Sequence, residues 1–541
     1  MKEKNKPVCS LISFIMIFSL ALPLLSSVVV ASTVTEIRDW YELHAIRDDL
    51  GGHYLLMNDL DATTAGYQEL ASPTANQSKG WEPIGIYEQG GAFDPFVGIF
   101  DGQGYEIMDL FIDRPDEAGV GLFGAVVGWA EGGVIENLSV VNANVTGEIG
   151  VGGLVGLNGG TVSNCYCTGN ATGESRVGGL VGFNIAIVSN SSSSGSVTGY
   201  SFLVGGLIGY NTGNVSNSYS VARMTGELGV GGLVGGNDGG TVRNSYSSSS
   251  VIGDEYVGGL VGHNWNLDAF VGSCYSSGNV TGDYRVGGLV GYNGYYGTVD
   301  TSYASGSVTG NDSVGGLVGH NRATVNSCYS IGSVAGNSSV GGLVGNNTAT
   351  VSNSFWDKEV YGIETSDGGV GKTTTEMMDS ATFTDTRTEG LDNPWDITTI
   401  AHGETNDAYT WNIVDGESYP FLSGKQYIEY DLTISSTAGG NVTAPGEGLY
   451  TYHAGSVVNL VCEPEEDYRF VNWSGDVDTI ADVNDATTNI TMYGNYTITA
   501  NFERPVNSAL IGGIVAAVVA AGSAALFMLR RKRRIADTKG L

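Results

Sequence analysis

Between Val151 and Phe355 the apolar and polar positions recur with a long period. The string V-G-G-L-[VI]-G begins at Val151, Val177, Val204, Val230, Val257, Val286, Val314 and Val340, in steps of 26, 27, 26, 27, 29, 28 and 26 residues. Each copy is followed by one variable residue and then Asn158, Asn184, Asn211, Asn237, Asn264, Asn293, Asn321 or Asn347. A second string, V-x-[NST]-[SC]-[YF], starts at Val162, Val215, Val242, Val271, Val299, Val325 and Val351. A third, close to G-x-V-T-G, recurs at Gly169, Gly195, Gly278 and Gly306. Every period therefore holds three short strand-like pieces divided by Gly, Asn and Asp turns. One period cannot bury a face alone. Stacked periods can, because equivalent strands then pair in parallel about 4.8 Å apart and their apolar residues form internal columns. The predicted fold class is all-β, a parallel β-helix or solenoid.

Side-chain alternation assigns the faces. The position after Val in the second string holds Arg243 and Asp300, so that parity points to solvent. Val162, Val215, Tyr219, Tyr246, Tyr275, Tyr303 and Tyr329 are then expected to point inward. The eight Asn are expected to form a stacked amide ladder that closes a turn. A degenerate coil is expected near Gly119–Gly124. Asp39 followed by Glu42 marks a helix start, with Leu43, Ile46 and Leu50 on one face, placed as the N-terminal helical cap.

The flanks break the period. Residues 430–503 alternate in runs such as Tyr468–Trp473 and Tyr496–Phe502 with Gly turns, which predicts a small second β domain. Lys2, Lys4 and Lys6 precede an apolar run ending in Val29-Val30-Ala31, the pattern of a signal peptide over 1–31. Ala509–Leu529 carries no charge and is followed by Arg530, Arg531, Lys532, Arg533 and Arg534, the pattern of one C-terminal transmembrane helix whose basic tail stays cytoplasmic. The expected layout is signal 1–31, cap and lead-in 32–118, repeat solenoid 119–356, exit segment 357–429, β domain 430–503, linker and membrane helix 504–529, and tail 530–541.

The repeats resemble a known family. V-G-G-L-V-G with its Asn and the N-S-Y strand resembles the GLUG-motif repeats of bacterial and archaeal surface proteins. Trp81–Gly85 and Phe96–Gly104 resemble the lead-in of such arrays, and Phe355-Trp356-Asp357 and Ser418–Leu422 resemble their exit. Residues 430–503 resemble the divergent internalin-type B-repeat of surface-protein stalks. The resemblance implies an adhesin-like surface protein, and it brings no active site with it.

Composition narrows the chemistry. With 83 Gly among 541 residues, 24 Lys+Arg against 57 Asp+Glu and a net charge of -33, the chain is neither collagen nor an acidic disordered tail, and it is a poor partner for nucleic acid. The expected partners are glycans or surface proteins, with the membrane held through the C-terminal helix. Gly368–Thr374 resembles the deviant phosphate loop of partitioning ATPases, but Asp367 stands where that motif has Lys, and no nucleotide partner is expected. Cys165, Cys274 and Cys328 share a repeat position that elsewhere holds Ser, and are read as Ser substitutes. Glu148, Glu174, Glu227, Asp254, Asp283 and Asp312 recur after the third string. They are expected to line one edge, where like charges repel and a cation would relieve them. With Asp476 and Asp478 they are the candidates for weak Ca²⁺ binding; no other cofactor is expected. Fourteen Asn-x-Ser/Thr sites allow glycosylation of an exported chain. The variable residue before each Asn places Phe183, Tyr210, His263, Tyr292 and His320 along one edge, as exposed rings able to stack on sugars. The expected function is a surface-anchored structural or adhesion protein rather than an enzyme. The alternatives are a β-helix polysaccharide lyase or hydrolase and an envelope-layer component.

Overall fold

The structure is a computed structural model. It describes residues 34–504 apart from 88–90, 129–131, 360–363, 402, 424–428, 454–456, 478, 481 and 492–495, together with residue 528. The expected signal peptide and basic tail lie outside the described residues, as does all of Ala509–Leu529 except Met528. Among the described residues no helix is long and apolar enough to cross a membrane.

Each period makes one coil with three faces. In one coil Val181–Asn184 lies on the first face, Ile187–Ser189 on the second and Ser192–Gly205 on the third. Every strand pairs in parallel with its equivalent one coil away, for example Val181↔Ile208, Val188↔Val215 and Val197↔Met224. The first face has nine strands, from Phe123–Val127 to Val344–Asn347, and the second has twelve. The degenerate coil is therefore present. The second face begins earlier, at Val34–Ile37, so the segment expected as cap and lead-in already builds coils.

V-G-G-L-V-G wraps the corner between the third and first faces. Its two Val and its Leu point inward, as in Val177, Leu180 and Val181, which have no exposed surface. Burying such side chains stabilises by about 1.5–3 kcal/mol each, which makes these columns the main stabilising element. The first Gly is required by the tight corner: a Cβ on Gly178 would lie 2.1 Å from the Val181 carbonyl oxygen. One continuous core runs from Ile37 to Trp356.

The amide ladder is complete. Nδ2 of Asn158 donates to Oδ1 of Asn184 (2.8 Å), and the relay continues through Asn211, Asn237, Asn264, Asn293 and Asn321 to Asn347 at 2.7–3.0 Å. The second N–H of the amide goes to a nearby carbonyl, as from Asn211 to Gly213, whose own N–H returns to Asn211 Oδ1. Buried amides are thus satisfied by repetition itself.

The expectation for the tyrosines is corrected. Tyr219, Tyr246, Tyr275 and Tyr303 point outward, while the residues on either side of each, such as Cys274 and Ser276, point into the core. The cause is a corner residue between Val and Tyr held in the left-handed region: Asn217 at φ 51, Asn244 at 50, Ser273 at 53 and Thr301 at 49. It turns the chain and shifts the alternation by one. The rings stack along the third face, with centroids 4.8–5.0 Å apart and planes within 7° from Tyr219 to Tyr329.

The exit segment folds back over this stack. Trp411 lies against Tyr303 and Tyr329, and the Tyr329 hydroxyl donates to the Pro420 carbonyl. Phe355, Phe383 and Trp395 complete a separate core there. Gly368–Thr374 forms no phosphate loop: Val370–Lys372 is a strand, Lys372 is buried with its Nζ 5.5 Å from the Phe355 ring, and Thr373 caps the helix Thr374–Met377. At the other end Asp39 accepts from the Glu42 N–H at 2.8 Å, capping the helix Trp40–Ala45, and Leu43 and Ile46 are buried as expected. Residues 429–503 form a four-stranded and a three-stranded sheet around Leu432, Leu460, Trp473 and Ile498.

Candidate binding surface

The residue preceding each Asn of the ladder points away from the core, giving one variable position per coil. These positions are in register: Leu157, Phe183, Tyr210, Gly236, His263, Tyr292, His320 and Asn346 pair successively. They are not the open row of rings expected. Tyr292 is buried, and Phe183, Tyr210, His263 and His320 are half-buried.

A second column covers them. The residue before each V-G-G-L string adopts the left-handed region, including Arg176 (φ 56), Leu203 (62), Tyr256 (57) and Arg285 (56). Arg176 lies 5.1 Å from the Phe183 ring and 5.3 Å from that of Tyr210, and Arg285 lies 5.1 and 5.9 Å from Tyr256 and Tyr292. Glu255 pairs with Arg285. Where Gly229 and Gly236 leave space, His263 and Leu203 close it: a Cβ on Gly236 would lie 2.6 Å from the His263 ring. Burial lowers the His263 imidazole to about 4. Burial, then Arg285 and Arg322, also lowers His320. Burial and its hydrogen bond to Asp238 (2.7 Å) raise the Tyr210 phenol. These rings form a packed, cation-capped rib.

The acidic edge holds in part. Backbone pairing links Glu148 to Glu174, Glu227 to Asp254 and Asp254 to Asp283. Asn311 pairs next, whereas Asp312 is displaced by one residue and pairs with Tyr284, because this coil carries Asn at the position where Glu148, Glu174, Glu227, Asp254 and Asp283 stand. Among the described residues no three His, Cys, Asp or Glu side chains are arranged to hold a metal ion. Asp476 accepts from the Thr497 N–H at 2.8 Å, and Asp478 lies outside the described residues. Cys165, Cys167, Cys274, Cys328 and Cys462 are buried thiols. Burial pushes the Cys165 and Cys167 thiols up to about 12.

Two features escaped the sequence reading. One is a cleft of about 670 Å³ between the third face and the exit segment, lined by Asn217, Asn244, Tyr246, Ser273, Asp396, Asp407, Tyr409 and Thr410. Asp396 accepts from the Thr410 N–H and hydroxyl at 3.0 and 2.7 Å. Nothing periodic joins residues 217–273 to 396–423, so only the fold brings them together. The other is a pair of exposed aromatic loops, 265–269 and 294–297. Their signal was present in the two longest repeat steps.

Family profiles settle what the period is. The GLUG motif matches residues 173–198, 200–225, 226–252 and 282–309, and the divergent InlB B-repeat domain matches 430–505. The chain carries GLUG repeats and an InlB-type B-repeat domain. Halomucin of Haloquadratum walsbyi is 37% identical over 131 residues, and a candidate Gly-rich membrane protein of Evansella cellulosilytica is 36% identical over 117. The matched parts are 24% and 21% of this chain but only 1% and 12% of those relatives. The crystal structure of a candidate immunoglobulin A1 protease from Bacteroides ovatus is similar at 20% identity and TM-score 0.31, covering 64% of this chain and 86% of that one. The GLUG matches fall within the regular coils, so the motif is the corner-wrapping unit described above.

Proposed function

We propose that this protein stands on the outer face of a cell, attached through its C-terminal apolar segment, and works as a structural and adhesive rod. The observation that carries this reading is the in-register edge. Over an interior repeated almost without change, the outward position varies from coil to coil at about 4.8 Å spacing and is filled by buried or half-buried side chains packed into a rib. Such a display suits many weak contacts made together, with glycans or with neighbouring surface proteins. The GLUG and B-repeat matches, and the membrane protein among the relatives, support the placement. The signal, the single membrane pass with a cytoplasmic tail, and glycosylation belong to the same proposal. The test uses intact cells: an epitope inserted near residue 34 is expected to bind antibody from outside, and one after Arg534 only after permeabilisation. The reverse pattern overturns the reading.

A surface carbohydrate-active enzyme is the second reading, favoured by the cleft that brings Asp396, Asp407 and two tyrosines together. Sustained polysaccharide cleavage by the purified protein, with or without Ca²⁺, abolished by Asp396→Asn or Asp407→Asn, would establish it.

A further inference from the structure

The two longest coils are consecutive, with steps of 29 and 28 residues, and both spend their extra residues at the corner between the first and second faces. Elsewhere that corner needs only two or three residues, such as Asp238-Gly239-Gly240 or Arg322-Ala323. Here it holds Trp265, Leu267, Tyr295 and Tyr296, which are 46%, 66%, 47% and 73% exposed. The loops lie one above the other, because Asn264 pairs with Asn293 and Phe270 with Thr298 on either side of them.

The arrangement is held rather than loose. Gly294 packs on the Trp265 indole, where a Cβ would lie 3.2 Å from Cγ, and Trp265 meets Tyr292 at right angles with centroids 6.2 Å apart. Arg322 lies 4.2 Å from the Tyr295 ring and donates to its hydroxyl. Three side-chain-bearing residues take left-handed backbone: Asn266 (φ 80), Asp268 (69) and Tyr296 (69). For Tyr this conformation is unfavourable, and a mostly exposed ring returns little burial in exchange. Elsewhere in the solenoid a left-handed aromatic such as Tyr256 packs against Tyr292 and Arg285, whereas Tyr296 stands in solvent.

Size and charge select the occupant. A patch two coils tall spans about 10 Å along the solenoid, far short of the roughly 28 Å on a side that a stable protein interface of ~800 Å² per partner needs. A chain of net charge -33 repels polyanions. Flat rings rimmed by the exposed Asn266 amide and Asp268 carboxylate match the apolar face and peripheral hydroxyls of a neutral sugar. We propose that Trp265, Tyr295 and Tyr296 form a preorganised platform for a neutral oligosaccharide. This deepens the adhesive reading above and rests on it.

The purified full-length protein is applied to a microarray of neutral glucan, mannan, galactan and N-acetylglucosamine oligomers, and the best binder is titrated by tryptophan fluorescence. Among the described tryptophans Trp265 alone is exposed, so the difference from Trp265→Phe isolates its signal. The expected result is that Trp265→Ala and Tyr296→Ala each weaken binding at least tenfold, while Tyr200→Ala and Phe202→Ala, exposed on another edge, change it less than twofold. Undiminished binding by Trp265→Ala and Tyr296→Ala overturns the platform and leaves the surface reading intact. So does the absence of any saccharide binding by a protein that the epitope test places outside the cell. Capture of a protein partner that depends on Trp265, without saccharide binding, also overturns it.

Discussion

Two ladders of identical side chains run along this molecule at nearly the same spacing, yet they answer to different rules. Seven of the asparagines are buried and Asn347 at the end is half-buried, and each interior amide is satisfied by the amides above and below it, so the series runs unbroken through eight coils. The tyrosines stand outside the solenoid core, with only Tyr329 fully buried beneath the exit segment, gain from stacking without needing it, and give way to Ser192 one coil before Tyr219. A buried polar ladder is all or nothing, because one vacancy leaves a donor and an acceptor unpaired in an apolar interior. An outer aromatic ladder loses only area and stacking where a rung is missing. This is why the constant positions are interior and the variable ones exterior.

The contrast can be broken most directly at Asn237. Asn237→Ala removes the acceptor of Asn211 and the donor of Asn264, and is expected to cost about 3 kcal/mol in denaturant unfolding of the solenoid. Asn347→Ala, at the end of the ladder with one such bond, should cost about 1 kcal/mol. Equal costs would show that the relay does not couple its members.

Tyr303→Ala comes next. It removes stacking on both sides and contact with Trp411, and should destabilise by about 2 kcal/mol, against about 1 kcal/mol for Tyr219→Ala at the open end. A larger effect at Tyr219 would contradict the covering role of the exit segment.

The smallest effect is pH-dependent. His263 is held neutral with its folded value near 4, below the ordinary 6.5 of an unfolded histidine. Its stabilising contribution is therefore complete above about pH 6.5 and is lost as pH falls toward 4. Wild type should lose on the order of 1 kcal/mol relative to His263→Gln across that window, the full linkage of about 3 kcal/mol being reduced by solvent screening of the partly exposed ring, read as the difference between their denaturation midpoints. A constant difference would mean that the imidazole is not shielded.

Much of this was legible in the chain. The period, the Val and Leu columns and the amide ladder follow from spacing alone, because a solenoid must place equivalent residues in contact. The direction of the tyrosines did not follow. Straight-strand alternation counts Val162 and Tyr166 on one side, and one left-handed residue, Asn164 (φ 53), reverses it. Asn at that position in several coils was the available sign, masked where Ser273, Thr301 and Ser327 replace it. Asp312 was misplaced for a similar reason, since counting from the third string ignores which backbone groups pair. The cleft at Tyr246 and Asp407 depends on contacts across some 160 residues with no repeated signal, and only folding reveals it.

The central claim is that successive coils lie one above another in parallel register. Thr324 and Thr350 are exposed register partners on the second face, which places their backbones about 5 Å apart. Nitroxide labels on Thr324→Cys and Thr350→Cys, with the buried native thiols left unreacted, should show strong spin–spin broadening absent from either single label. A doubly labelled spectrum equal to the sum of the two single spectra would contradict the stacked solenoid.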